Sequence, residues 1–464
     1  MITSIKFPCR ARPVTLRYKQ NGQALILGLI VIMLGFAGLI VFFSSTQLTV
    51  NRQRLTSASD AAAYSAALWR ARVMNFDAYS NRAIVAQEVA VAQAVTMVSW
   101  AKYFETFTGN VNTIAQYYPP LAVVTGATAQ AAQLSRQVAQ TAAELEIPAR
   151  AAKDVGYKFL LEKSQQLMGL TANGFALSML TTEVARANDR NYHAFVLPDQ
   201  GALFSWVKRY ESDEERLRLK DVVLRSLDGF TGQSRDDQLR LLLLPSGCFL
   251  QSSNFDKWWQ HLRKRGATTL SDDMERWEAV DTTSLHNWRS RGLFSSCRES
   301  EVIGVGYGAT EAADEELQSR VTTNQFDINK NASAKALASS GIYSFTQYGG
   351  LSKIHELDYD ALDNKKFPVS NIAVLTRVKH QDLRTADTLN VGVGRFRTTE
   401  SLHNNRLSRL SAAQVYFRKP VQAANGDASG ADDEQEYASL FSPFWQARLI
   451  SPTEVQRVLA ANVP

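Results

Sequence analysis

From Ala24 to Phe43 the chain carries no charged residue. At about 1.5 Å per residue in a helix this run is about 30 Å long, the hydrocarbon thickness of a bilayer. A chain with such a segment has to place it in lipid or bury it completely, and the sequence around it favours lipid. A cleaved secretory signal has an apolar core of roughly 7 to 15 residues followed by a small-x-small site. Here the run is longer, and Phe42-Phe43-Ser44-Ser45-Thr46-Gln47 offers a poor site, so a retained single-pass anchor is expected. Lys6, Arg10, Arg12, Arg17 and Lys19 precede it with no acid among them, against Arg52 and Arg54 just after it. That asymmetry predicts a cytoplasmic N-terminus, with everything after about Ser44 outside the inner membrane.

The rest of the composition follows from that topology. The 464 residues are 45% hydrophobic, enough for a substantial core, and their length allows two or three domains. Five of the six net positive charges belong to the N-terminal tail, so the exported part is near neutral and has no nucleic-acid footprint. Cys9 falls on the cytoplasmic side, whereas Cys248 and Cys297 fall where disulfides form. A Cys248 to Cys297 bond is expected, with two unpaired buried cysteines as the alternative.

No proline stands between Val14 and Pro119, and seven of the fourteen residues from Ala58 to Ala71 are alanine. The membrane helix is therefore predicted to continue outward. Ala62, Ala66, Ala83, Ala86, Ala90 and Ala94 form a small-residue seam for close packing with a helix of the same chain or of another subunit. After Pro119-Pro120 a second Ala-rich stretch, interrupted at Pro148, should fold back as an antiparallel helical hairpin or small bundle. Short β-branched or aromatic runs follow: Val302 to Tyr307, Gly341 to Thr346, Asn371 to Val378 and Ala413 to Phe417. Helices are expected over Leu203 to Leu227 and Asp236 to Leu244, and a helix start at Ser271-Asp-Asp-Met-Glu-Arg.

The predicted class is α+β: one N-terminal transmembrane helix extending into an Ala-rich hairpin or bundle, then an exported mixed domain with a mostly antiparallel sheet. The predicted segments are a basic tail (1–23), the span (24–43), the helical region (44–190) and the α+β domain (198–464), with a mobile acidic loop at 425–436.

Gly22-Gln23-Ala24-Leu25, then Leu55-x-x-Ala-x-Asp60-Ala61-Ala62-Ala, resembles the N-terminal membrane segment of TadG-like proteins of the Tad (Flp) pilus-assembly system. The likeness covers about the first 70 residues. Ala412 to Pro420 and Leu440 to Leu449 are similar to segments of longer members of that group. The resemblance implies a structural or assembly protein of a type IV pilus in the bacterial inner membrane, with its bulk in the periplasm. The implied partners are pilins or other pilus-assembly membrane proteins. Gly22, Gln23, Ala24, Gly28, Gly35, Gly38, Leu55, Asp60, Ala61 and Ala62 are the expected anchor and packing residues. The chain departs from the pilins of this system, which carry a glutamate five residues after the cleaved glycine; Leu27 and Met33 stand at that distance from Gly22 and Gly28. An uncleaved anchor is expected. Asp281-Thr-Thr-Ser-Leu285 breaks the Asp-x-Ser-x-Ser pattern of a von Willebrand A metal site, so no metal is carried over.

Chemistry is sparse. His193, His261, His286, His355, His380 and His403 form no ligand spacing, and Gly-x-Ser-x-Gly is absent. Gly304, Gly306 and Gly308 lack the following helix signal of a dinucleotide loop and suit a strand open to close backbone approach. No enzyme activity, cofactor or small-molecule substrate is expected. A membrane-tethered binding or sensing protein, and a periplasmic enzyme using Asp272, Asp273 or His286, are the other readings.

Overall fold

The helix that begins at Gln23 does not stop where the apolar run ends. In a computed structural model the described residues are 23–115, 147–172, 174–198, 207–232, 235–241, 255–289, 296–310, 329–338, 348–362, 367–383, 406–419 and 436–462, with Cys248, Lys365 and a few positions between 130 and 141. Helix α1, Gln23–Ala115, is 93 residues long, or about 140 Å. Its proline-free sequence permits this length, and the packing of its outer part sustains it. Ala24 to Phe43 is exposed almost throughout, whereas Leu55, Ala58, Ala62, Ala66, Ala67 and Met74 are fully buried.

The structure is α+β, with the long apolar N-terminal helix and antiparallel sheets. Helices α2 (Ile147–Thr171) and α3 (Gly174–Asn188) pack on α1. Pro148 is tolerated in the first turn of α2, where its missing N–H costs nothing. The first sheet joins β1 (His193–Val196), β8 (Val369–Lys379), β9 (Arg406–Phe417) and β10 (Trp445–Ile450) in the order β1-β8-β9-β10. One face, with Ile372, Val374, Val378, Leu407, Ala413 and Val415, shares a core with α1 and α3. On the other, Ala373, Leu375 and Leu410 meet Leu459 and Ala460 of α6 (Glu454–Asn462). Burial on both faces explains the uninterrupted Ile372-Ala-Val-Leu375 run.

The second sheet, in the order β3-β4-β5-β6, is built from β3 (Asp237–Leu241), β4 (Gln260–Leu270), β5 (Trp277–Arg289) and β6 (Arg298–Ala309). It lies farther along α1, and helix α5 (Lys330–Ala338) covers its opposite face. A third core, around Ile84, Val95 and Trp277, also takes Leu219 and Val223 from α4 (Asp213–Arg225). The pair β2 (Val207–Arg209) and β7 (His355–Leu357) completes the architecture.

Gly306 and Gly308 lie where β6 packs closely on α1. A Cβ on Gly308 would sit 2.4 Å from the Ser99 carbonyl oxygen and the Tyr103 nitrogen, and one on Gly306 2.8 Å from Phe107 and Tyr103 side-chain atoms. The glycine triplet therefore serves close packing.

Cys248 and Cys297 are disulfide-bonded, with Cα atoms 6.1 Å apart and a sequence separation of 49. A loop of that size stabilises the fold by about 3 to 4 kcal/mol in the chain-entropy model. The runs at Val302, Asn371 and Ala413 lie in β6, β8 and β9. The run at Gly341, the loop at 425–435 and His403 lie outside the described residues.

One helix expectation is narrowed and two are corrected. The helix expected around Leu203 to Leu227 is present as α4 and is preceded by β2, because Ser212 and Glu215 form a capping box that starts it at Asp213. Asp236 to Leu244 contributes strand β3, held by a ladder to β4 in which Leu239 faces Leu262. Ser271 to Arg276 is the turn between β4 and β5: Ser271 N–H donates to the Arg276 carbonyl at 2.8 Å, and Met274 has φ 61°. Its acids serve the turn, Asp273 accepting from Glu275 N–H at 3.0 Å. Of the four tryptophans between the cysteines only Trp277 is fully buried.

Candidate functional site

The outer part of α1 buries polar side chains, and each ties a distant segment to the helix. Asn75 exchanges two hydrogen bonds with the Trp445 backbone, donating to its carbonyl at 2.9 Å and accepting from its N–H at 3.0 Å. Asn81 donates to the carbonyls of His355 and Leu440, both at 2.8 Å, and accepts from Gln165 at 2.7 Å. Glu88 meets Lys158 Nζ at 2.7 Å, and its other oxygen accepts from Tyr348 Oη at 2.7 Å and Trp277 Nε1 at 3.3 Å. Lys158 also pairs with Asp154 and donates to the Gly350 carbonyl at 3.0 Å. Farther out, Ser99 donates to Asp281 at 2.9 Å, and Asp281 forms a two-pronged pair with Arg235, at 3.1 and 2.8 Å.

These groups are desolvated and held. Burial raises the Asp154 carboxyl to about 6, against the pull of Lys158 and with added repulsion from Glu88. Burial likewise pushes Tyr348 well above the usual phenol range, reinforced by Glu88, and raises Asp77 and Glu356. One lysine thus serves two carboxylates, and neutral donors from Trp277 and Tyr348 carry part of the remaining charge. A buried set of this kind costs desolvation and returns specificity of pairing, which suits a fastener between α1, α2 and the second sheet.

Helix α2 is inverted relative to an ordinary surface helix. Its buried positions are polar, Asp154, Lys158 and Gln165, while Phe159, Leu160, Leu167 and Leu170 point outward. Helix α3 continues the exposed apolar surface with Phe175, 80% exposed, and Met179. Isolated exposed hydrophobics are ordinary, whereas here six are exposed along two successive helices. Sequence reasoning passed over both features. The available signal was the recurrence of Asn81, Glu88 and Val95 with Ile84 and Val91 on one helical stripe, which places polar groups on the face that must be buried.

The anchor and packing residues divide between two environments. Gly22 lies outside the described residues, and Gln23 opens α1. Ala24, Gly35 and Gly38 are on the exposed apolar part or its edge, and a Cβ on Gly28, Gly35 or Gly38 would meet nothing within 4 Å. Leu55 and Ala62 are buried in the first core, Ala61 is half-buried, and Asp60 accepts from Ser411 Oγ. The small-residue seam holds at Ala62, Ala66 and Ala94 but not at Ala83, Ala86 and Ala90, which are half-buried or exposed. There the buried stripe runs through Asn81, Ile84, Glu88, Val91 and Val95, because the sheets and α2 approach α1 from a different side. Ala412 to Lys419 and Leu440 to Leu449, far apart in sequence, meet as neighbours: β9 and β10 pair with Trp445 opposite Phe417.

A cavity of about 470 Å³ opens beside the start of the buried part of α1, lined by Val50, Gln53, Arg54, Ser57, Asn188, Asp189 and Tyr192. His261 contacts Glu299 at 3.0 Å, and His286 contacts Asn329 at 2.8 Å with burial lowering its proton affinity. His355 lies 3.8 Å from Asp77. Asp272 pairs with Lys220. Among the described residues no three His, Cys, Asp or Glu side chains are grouped to hold a metal ion. Comparison with family models, curated proteins and solved structures finds no match.

Proposed function

We propose that the chain is a structural or assembly protein of a Tad (Flp) type IV pilus, held in the bacterial inner membrane by Ala24 to Phe43. Its N-terminus is cytoplasmic and its bulk periplasmic, and it acts through protein contacts rather than catalysis. The observation that carries this reading is the continuity of α1, one helix whose first part is apolar and exposed and whose remainder is the spine of the folded region. Such a helix couples a membrane position rigidly to a body outside it. Gly28, Gly35 and Gly38, where a Cβ would meet nothing within 4 Å, suit close approach of a second membrane helix, where van der Waals packing drives association. The pairs Lys158–Glu88 and Gln165–Asn81, with Trp69 donating to Thr171 at 3.2 Å, support an antiparallel hairpin of α1 with α2. The apolar ridge of that hairpin is then the periplasmic docking face for pilins or platform proteins.

The test is to tag the C-terminus, shear surface filaments, and locate the protein by immunoblot. Full-length protein confined to the inner-membrane fraction, with loss of filaments in Phe159→Ser/Leu167→Ser, is the expected result. Shortened protein in purified filaments makes it a minor pilin and sinks the uncleaved anchor. Intact filaments in a strain lacking the protein favour the tethered binding protein, for which the polar cavity at Arg54 is the specific support.

A further inference from the structure

Helix α1 acts as a ruler for the end of the body nearest the apolar run. Ser59 Oγ donates to the Arg409 carbonyl at 3.3 Å, and Asn75 pairs with Trp445, which lies opposite Phe417. Strand β9 therefore runs outward alongside α1. Arg406 precedes Arg409 by three residues, about 10 Å along a strand, which brings it level with about Arg52. That level is roughly 13 Å beyond Phe43 along the helix. Since headgroups add roughly 5 to 8 Å to each side of the hydrocarbon, Arg406 stands within one side-chain length and one Debye length of the lipid surface.

Positive charge collects in this band. Lys379 is directly opposite Arg406 across the β8–β9 ladder, and Arg377 is two residues back along β8. Arg377 loses proton affinity to burial first and to the charge of Arg406 second. Arg52 and Arg54 are exposed on α1, and Arg190 is exposed in the turn after α3. Among the described residues of the band, Asp189 and Asp382 stand against these six. The formal charge of the chain beyond the N-terminal tail is about +1, so this is a local concentration of positive charge. The cavity that contains Arg54, Gln53, Asn188 and Tyr192 opens in this band too, with a volume inside the roughly 300 to 1,000 Å³ common for small-ligand sites.

We propose that this band is a docking surface for anionic lipid headgroups, in which Arg52, Arg190, Arg377, Lys379 and Arg406 contact phosphodiesters of the adjoining leaflet and the cavity at Arg54 receives one headgroup. The proposal rests on the anchor reading above. It gives the body a fixed seat on the bilayer, so that the tilt of α1 is set by lipid charge as well as by its apolar length.

The experiment places the full chain in nanodiscs of phosphatidylcholine alone or mixed with phosphatidylglycerol. It follows acylation of Lys379 and dicarbonyl modification of Arg190 by mass spectrometry, with Lys353 as the distant reference. The expected result is Lys379 and Arg190 reacting about fivefold more slowly in the anionic discs, with the difference lost in high salt and Lys353 unchanged. Equal rates in the two discs overturn the lipid contact while leaving the anchor intact. Equal slowing by inorganic phosphate in neutral discs overturns the assignment to lipid. Failure of the chain to enter either disc overturns the anchor and the proposal together.

Discussion

The two parts of α1 solve opposite problems with one backbone. From Ala24 to Phe43 the large apolar side chains face outward, Leu25 at 76% and Phe42 at 71% exposure, and the glycines touch nothing. From Leu55 onward the helix hides alanines and valines together with Arg70, Asn81, Glu88 and Thr96, and its polar groups find partners. Thr96 shows how a hydroxyl is accommodated: it donates to the Ala92 carbonyl one turn back at 2.8 Å and meets Thr268 at 2.8 Å. The first part is long and apolar enough to cross a membrane, and the second belongs to an interior where hydrogen bonds come from the chain. Continuity of the helix makes one part report on the position of the other.

The contrast is broken most severely at Lys158. Lys158→Met leaves Glu88 and Asp154 buried without their cation, and a loss of about 3 to 5 kcal/mol is expected in denaturant unfolding. A loss under about 1 kcal/mol would mean that water reaches the cluster and the interior description is wrong. A charge in the other part should act elsewhere. Leu34→Arg at the centre of the apolar run is expected to cost about 2.5 to 3.5 kcal/mol of membrane insertion and to move protein out of the membrane fraction. The unfolding midpoint of the body should stay put; a shift in it would show that the run packs on the body.

A smaller effect separates the glycines. Gly308→Val must displace the α1 backbone and is expected to destabilise by about 1 to 3 kcal/mol, whereas Gly35→Val should leave thermal unfolding of the body unchanged. Equal effects would remove the distinction between packed and unpacked glycines. The smallest effect is in pH dependence. Asp154 has a raised value in the folded state, so the folded state binds its proton more tightly than the unfolded chain. Its contribution is therefore fully present below the unfolded value near 3.8 and is lost as pH rises through about 6. Asp154→Asn should flatten that part of the stability profile between pH 4 and 6 and leave the region above it parallel to wild type; an unchanged slope would place the carboxyl in water.

Legibility in the sequence follows the range of the forces involved. The apolar run, the missing prolines and the Ala-rich stretch specify a long helix through local propensity alone, and the structure has it as α1. Strands β6, β8 and β9 were visible because β-branched residues cluster between turn formers. Strand β3 was not: Asp237-Gln-Leu-Arg-Leu241 suits a helix equally well until β4 supplies its ladder. Strand β5 was hidden for a different reason: Thr283 and Asp281 are polar yet buried against Tyr103 and Ser99 of α1.

What the sequence determined by itself was one uninterrupted helix with an end long and apolar enough to cross a membrane, and two cysteines that pair. Which alanines meet a sheet, which face α2 buries, and which arginines gather beside the apolar run were decided only by the tertiary structure. Helix propensity and hydrophobic length act over a few residues. Polar pairing such as Glu88 with Lys158, or Asn75 with Trp445, joins positions far apart in the chain, and its free energy appears only when the fold removes both partners from water.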